Sequence, residues 1–223
     1  MPTKHLFLIR HGQTEYNRQK IVQGSGVDAP LNDQGHAQAR AFYQMYQDRP
    51  FELVFTSALR RTHETVTPFV QQGLSWEQCT ELNEIGWGCH EGKKSTPEMI
   101  AEYHKVLKAW KSGDLRARLG GGESAAEMVA RLLRFIERLK ARPETHILIC
   151  SHGRSMRALL CLLLNKSVTQ MDVFQHGNTA LYHLQHSGYR FKALRMNDRT
   201  HLELQAPPSQ NPTQRTSTKA SKT

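Results

Sequence analysis

Two tripeptides carry most of the chemistry in this chain of 223 residues: Arg10-His11-Gly12 near the start and Ser151-His152-Gly153 well past the middle. Each closes an apolar run, Leu6-Phe7-Leu8-Ile9 in the first case and Ile147-Leu148-Ile149-Cys150 in the second, so each reads as a buried strand that ends in an imidazole followed by glycine. Histidine supplies a nitrogen that acts as base, nucleophile or metal ligand near neutral pH. Arginine presents a planar fork of donors suited to phosphate, and glycine lets the backbone come close to a bound group. Open α/β sheets hold their ligands at the carboxyl ends of the strands, and in a parallel pair both histidines emerge at the same edge. A lone histidine is usually a satisfied core or surface residue. Two strand-end His-Gly pairs, one of them preceded by arginine, point instead to a site for an anion.

Three further stretches are candidates to complete such a site. Ser57-Ala58-Leu59-Arg60-Arg61-Thr62 sits at a helix start, where backbone N–H groups and an arginine can hold phosphate, although a solvated first turn reads the same way. Glu84 lies in a glycine-spaced loop, and taken alone it is an ordinary solvated glutamate. Gly120-Gly121-Gly122-Glu123-Ser124 lacks the Gly-Lys-Ser/Thr ending of a phosphate loop, so it reads as a helix start with one functional acid.

The elements that must position these residues are legible in outline. Asn17 to Leu31 has no sustained period and contains Gly24, Gly26 and Pro30, which predicts a loop; loops of that length in compact domains are often functional. Asn32 caps a helix with a stripe of Ala37, Ala41, Phe42 and Met45. Phe51 to Thr56 is a second strand, followed by a helix from Leu59 to Gln72 that Pro68 should bend or shorten. Leu82 to Gly92 reads as loop. Thr96-Pro97-Glu98 starts a helix whose stripe is Met99, Ile100, Tyr103, Val106, Leu107 and Trp110. Ser124 to Glu127 is a capping box ahead of Met128, Val129, Leu132, Ile136 and Leu139. His146 to Cys150 is the strand before His152, and the helix after it is apolar almost all round, hence buried. Ala180 to Gln185 and Tyr189 to Met196 form a hairpin around Ser187-Gly188. Strands separated by helices predict an α/β fold: a three-layer sandwich, its central sheet mostly parallel, with helices on both faces. One domain, residues 1–204, is expected to carry the function. Residues 205–223, rich in Pro, Ser, Thr, Gln and Lys, have no core-forming pattern and are expected to be a disordered tail.

Composition narrows the function. The formal charge of +10 is scattered, with no basic block and no finger, zipper or RNA-binding aromatic signature. Arg215, Lys219 and Lys222 put three of those charges on the tail, and a basic cleft for a small anion explains the remainder as well as a polyanion does. Cys79, Cys89, Cys150 and Cys161 show no paired spacing and fit a reduced, cytoplasmic setting. Met1 to Arg10 is too short for a signal peptide, and the most apolar run, Met156 to Leu164, is half a membrane span. The expected partner is a small phosphorylated substrate, with neither nucleic acid nor membrane; oligomeric state is open.

Taken together the motifs resemble the histidine phosphatase superfamily, in its phosphoglycerate-mutase-like branch. Residues 10–17 (RHGQTEYN) match the opening signature R-H-G-[EQ]-[ST]-x-x-N, and residues 23–39 resemble Q-G-x-x-D-x-P-L-[TN]-x-x-G-x-x-Q-A, matching its fixed positions once one extra residue is allowed between Gly24 and Asp28. Ser57 to Arg61 resembles S-x-L-x-R, which gives the phosphate-binding role to Arg61 rather than Arg60. Leu82-Asn83-Glu84 with Glu91-Gly92 resembles the loop of the catalytic acid, so Glu84 takes that role. Gly121 to Ser124, Ser151 to Gly153 and Gly177 to Ala180 complete the set in family order. The resemblance spans Lys4 to Met196. It implies catalytic roles for His11, Glu84, His152, Arg10 and Arg61, and contacts to the substrate phosphate from Arg10, Asn17, Gln23, Arg61, His152 and Gly153. The chain departs from the pattern at Ile21, where arginine is common, and at His90, where an aromatic residue is usual. Lys93 to Gly120 is shorter than the matching segment of the cofactor-dependent mutases.

The set makes chemical sense on its own terms. Arg10, Arg61 and an N–H of His152 share the charge of a phosphate monoester, while cations beside His11 keep it unprotonated for in-line attack on phosphorus. The resulting phosphohistidine replaces one hard displacement by two easier ones, with Glu84 first protonating the leaving oxygen and then activating water. No metal or other cofactor is expected: the histidines show no close ligand pair, and His90-Glu91 lacks the second histidine of a zincin helix. Three functions fit: a phosphatase that passes the group to water, a mutase that returns it to another hydroxyl, and a non-catalytic anion-binding module. The shortened middle segment favours the phosphatase.

Overall fold

The computed structural model describes residues 3–203 except 187 and 189. In chain order its strands are β1 (Lys4–Arg10), β2 (Leu53–Thr56), β3 (Trp76–Gln78), β4 (His146–Ser151), β5 (Leu181–His186) and β6 (Phe191–Asp198). The helices are α1 (Glu15–Gln19), α2 (Asp33–Tyr46), α3 (Arg60–Gln71), α4 (Pro97–Lys111), α5 (Ala125–Ala141), α6 (Gly153–Leu163) and α7 (Thr200–Glu203). The strands form a single sheet in the order β3-β2-β4-β1-β5-β6. β1, β2, β3 and β4 are parallel, and β5 alone runs against the rest, pairing antiparallel with both β1 and β6. The expected α/β sandwich with a mostly parallel sheet is therefore the observed fold, and the expected hairpin is its β5–β6 edge. Its turn residues 187 and 189, and the expected tail 205–223, lie outside the described residues.

Both faces of the central strands are buried, which is why they read as unbroken apolar runs instead of alternating ones. Phe7, Ile9, Val54, Leu148, Cys150 and Leu181 face a cluster with Phe42, Val66 and Phe69 of α2 and α3. Leu6, Leu8, Phe55, Ile147, Ile149 and Tyr182 face the larger cluster with Met128, Leu132, Phe135 and Leu139 of α5 and Met156, Leu159 and Leu160 of α6. Cys79, Cys150 and Cys161 are buried, Cys89 is exposed, and all four are free thiols. No described helix is long and apolar enough to cross a membrane.

Three local expectations are amended. The stretch read as loop from Asn17 begins as helix α1, because Thr14 and Asn17 form a reciprocal capping box there. Pro68 does not shorten α3, which runs on to Gln71 with the buried residues Val66 and Phe69 on either side of the proline. The stripe of α4 is buried only toward its C-terminal half, at Val106 and Trp110, while Ile100 remains 45% exposed.

Candidate active site

In the parallel β1–β4 pair Arg10 lies opposite Ser151, so His11 and His152 leave the sheet side by side at its carboxyl edge. The His11 N–H donates to the Ser151 carbonyl at 3.0 Å, and the two rings lie with centroids 5.2 Å apart. His11 Nδ1 is 2.7 Å from the Gly12 carbonyl oxygen. A carbonyl only accepts, so Nδ1 carries the proton and Nε2 keeps its lone pair. The Gly12 backbone is fixed in turn by its N–H to Thr65 Oγ1 at 2.9 Å. Gly12 is required by a close approach: a Cβ there would lie 2.7 Å from the Gly35 carbonyl oxygen of α2.

His152 is held differently. Arg61 Nε donates to its Nδ1 at 3.1 Å, which leaves the proton on Nε2, 2.7 Å from Ser57 Oγ. Burial first, then the charges of Arg61 and Arg10, hold the pKa of His11 well below the usual histidine value. Burial, Arg61 and the neighbouring His11 do the same for His152. Both rings are therefore neutral at physiological pH, and His152 presents an N–H rather than a charge.

Arg61, in the first turn of α3, is fully buried. Besides its bond to His152, Nη1 donates to the Val27 carbonyl at 2.7 Å and Nη2 to the Gly24 carbonyl at 3.2 Å. One N–H on each terminal nitrogen is left over. The long 20–31 connection is thus tied to the site, and its Leu31 N–H donates to Glu64 Oε2 of the same helix at 2.7 Å. Desolvation lowers the Arg61 pKa to about 10, with Glu84 and Asp28 opposing it. Arg10 donates through Nη1 to the His176 carbonyl at 3.3 Å, and its buried Nε has no protein partner.

Glu84 is 7% exposed and sits at the N-terminus of α6. Its Oε1 accepts from the N–H groups of Ile85, Arg154 and Ser155 at 3.0–3.1 Å and lies 3.2 Å from Ser155 Oγ. Oε2 takes only the Arg154 N–H at 3.0 Å, so it is the oxygen with capacity to spare. Gly153, the first residue of α6, lets Oε2 and Arg10 close in: a Cβ would stand 3.3 Å from Oε2 and 3.8 Å from Arg10 Cζ. Glu123 supports the acid's loop. It accepts the Gly86 N–H at 3.3 Å and is clamped by Arg131, which also reaches Ser155 Oγ at 3.3 Å. Gly122 passes directly against this loop, where a Cβ would lie 2.1 Å from the Gly86 carbonyl oxygen.

The outer candidates fall on the same edge. Asn17 Oδ1 accepts from Asn178 Nδ2 at 3.1 Å, and that amide also donates to the His11 carbonyl at 2.9 Å. Gln23 Nε2 lies 3.2 Å from Thr14 Oγ1, and its buried Oε1 has no partner. Sequence reasoning did not single out Ser57, Thr65, Ser155, His176 or Asn178 as individual site residues. Asn178 and Ser57 fall inside the quoted motifs, whereas nothing in the pattern marks Thr65, Ser155 or His176. Among the described residues no group of three or more His, Cys, Asp or Glu is arranged to hold a metal ion.

An edge that gathers two guanidiniums around an unprotonated imidazole, with a buried carboxylate beside them, equips an α/β protein for work on phosphate esters. The chain belongs to the histidine phosphatase superfamily, branch 1, whose family model matches residues 6–199. Phosphoserine phosphatase 1 of Hydrogenobacter thermophilus is 26% identical over 88% of this chain and 93% of its own. A 2,3-bisphosphoglycerate-dependent phosphoglycerate mutase of Gloeobacter violaceus is 31% identical over 75% and 78%. Among solved structures, mycobacterial glucosyl-3-phosphoglycerate phosphatase in complex with VO3 superposes with a TM-score of 0.75 at 28% identity, covering 87% of this chain and 98% of that one.

Proposed function

We propose that the protein hydrolyses phosphate monoesters of small metabolites through a phosphohistidine on His11, with no metal or cofactor, in the cytoplasm. The observation that carries this reading is the bond from His11 Nδ1–H to the Gly12 carbonyl, which leaves Nε2 free for attack among fixed positive groups. Arg10 and the two spare N–H groups of Arg61 bind the phosphoryl oxygens, joined by Asn17, Gln23 and the start of α6 at Gly153. His152 Nε2–H turns from Ser57 to the same oxygens as negative charge builds on them.

In the first step the Nε2 lone pair forms the N–P bond as the ester P–O bond breaks, and the departing oxygen takes a proton from Glu84 Oε2. In the second, Glu84 removes a proton from water, whose oxygen displaces His11 from phosphorus and releases inorganic phosphate. The shortened 93–120 segment supports transfer to water over return to a second hydroxyl. The mutase among the relatives makes the opposite outcome the one to test against.

His11→Ala should abolish turnover and remove the acid-labile, base-stable phosphoprotein formed with substrate; substantial residual activity would sink the assignment. Incubation with phosphoglycerate should release phosphate without isomerising the substrate. Vanadate should inhibit, as its presence in the mycobacterial relative suggests, and activity should survive chelation. Catalysis is assigned to residues 1–204, so removing 205–223 should leave turnover and melting temperature nearly unchanged.

A further inference from the structure

An open cavity of about 220 Å³ lies beside the catalytic edge, with Gln23, Trp87, His90, Met99, Ile100 and Tyr103 in its lining. Three of its walls lead directly to the site. Gln23 touches Thr14, three residues beyond His11. Trp87 follows Glu84 by three residues on the same loop. The Tyr103 hydroxyl accepts from Arg154, whose backbone N–H holds both oxygens of Glu84. The proton donor must face the leaving oxygen, so the alcohol part of the ester departs on the Glu84 side, where these walls stand.

The lining contains no Lys, Arg, Asp or Glu. Of its polar groups, His90 Nε2 pairs with Glu102 at 2.9 Å, and Gln23 stands at the end nearest the site. The first turn of α4 supplies the half-buried Met99 and the exposed Ile100. A cavity of roughly 150 Å³ accepts benzene, so this one holds a single ring or a branched alkyl group of similar size.

Resting on the phosphatase reading, we infer that the preferred substrate is the phosphate ester of an uncharged alcohol bearing a ring-sized apolar group, which packs between Trp87, Tyr103 and the start of α4. Charged alcohols such as serine or glycerate find no charged side chain in the lining itself, and the nearby Arg154 is paired with Asp172.

The test compares ethyl phosphate, 2-phenylethyl phosphate and O-phosphoserine, whose leaving groups are all primary alkoxides. Taking a phenyl group out of water should raise kcat/KM for the phenylethyl ester about 10- to 100-fold over ethyl phosphate. Ile100→Glu and Met99→Gln should bring that ratio toward one while turnover of ethyl phosphate stays unchanged. A wild-type ratio near one, a preference for O-phosphoserine, or a ratio untouched by both variants would overturn the inference. Calorimetric binding of 2-phenylethylphosphonate against ethylphosphonate tests the cavity apart from catalysis. A 10-fold or greater affinity gain without turnover of any ester would keep the cavity and reject the hydrolase; equal affinities would reject the cavity.

Discussion

His11 and His152 are near neighbours of the same type, and their partners alone separate their jobs. The Gly12 carbonyl can only accept, which frees Nε2 of His11, while Arg61 can only donate, which places the proton of His152 on Nε2. Glu84 is divided in the same manner, with Oε1 crowded by donors and Oε2 accepting a single one. If Oε2 is the proton donor, its loss should matter in proportion to how much the departing oxygen needs a proton. General acids contribute about 10²–10⁴-fold, so Glu84→Gln should slow phosphoenzyme formation from an alkyl ester by that order. With p-nitrophenyl phosphate, whose phenolate leaves unaided, the same variant should form the phosphohistidine far faster. Rapid-quench measurement isolates this step from the hydrolysis that also uses Glu84, and equal losses on both esters would exclude the role.

At the level of elements, the site is a meeting of ends: two strand termini, the start of α3 and the start of α6. The start of α6 holds Glu84 through two successive backbone N–H groups, at a distance that Gly153 makes possible. Gly153→Ala adds a methyl group 3.3 Å from Oε2 without forcing an unusual backbone angle. It should leave the melting temperature within a few degrees yet cost roughly 10-fold or more in kcat, since small misplacements of a catalytic group are expensive. Ordinary stability with unchanged kcat would show that the approach has slack. The strand-end histidines, the Ser124–Glu127 capping box and the apolar strands were legible in the sequence because each is written in a contiguous stretch. The short helix α1 was missed although its capping pair, Thr14 and Asn17, is local, since five residues are too few to show a period. Thr65 and Ser155 were illegible for a different reason. Each acts through a contact across the fold, Thr65 on Gly12 and Ser155 on Asn83 and Glu84, and nothing in the local pattern announces it.

For the whole molecule, the far edge of the sheet carries a second gathering of histidines with a thermodynamic effect of its own. His5 Nδ1 lies 3.0 Å from His183 Nε2, and His5 stacks on His146 at 4.8 Å. Burial first, then the neighbouring His5 and Arg49, pull the His183 pKa down to about 4, and burial takes His201 to about 4 as well. Both folded-state values lie below the unfolded value of about 6.5, so in that window the unfolded chain binds more protons. Stability contributed by these neutral rings is intact above about 6.5 and is lost as pH falls toward 4. Melting temperature should therefore drop through this range, and His183→Gln should flatten the drop without altering activity at pH 7. A pH profile identical to wild type would remove His183 from the account.

Arg10 and Arg61 have a consequence that reaches beyond chemistry. The half-buried Arg10 and the fully buried Arg61 both have their pKa lowered by desolvation, so their paired positive charge is costly to the native state. An anion bound between them would favour the native state over the unfolded chain, so on the proposed reading inorganic phosphate should add stability as RT ln(1 + [L]/Kd). The reaction product would then protect its own producer from unfolding. Thermal melts in rising phosphate at constant ionic strength should climb logarithmically for the wild type and stay flat for Arg61→Ala.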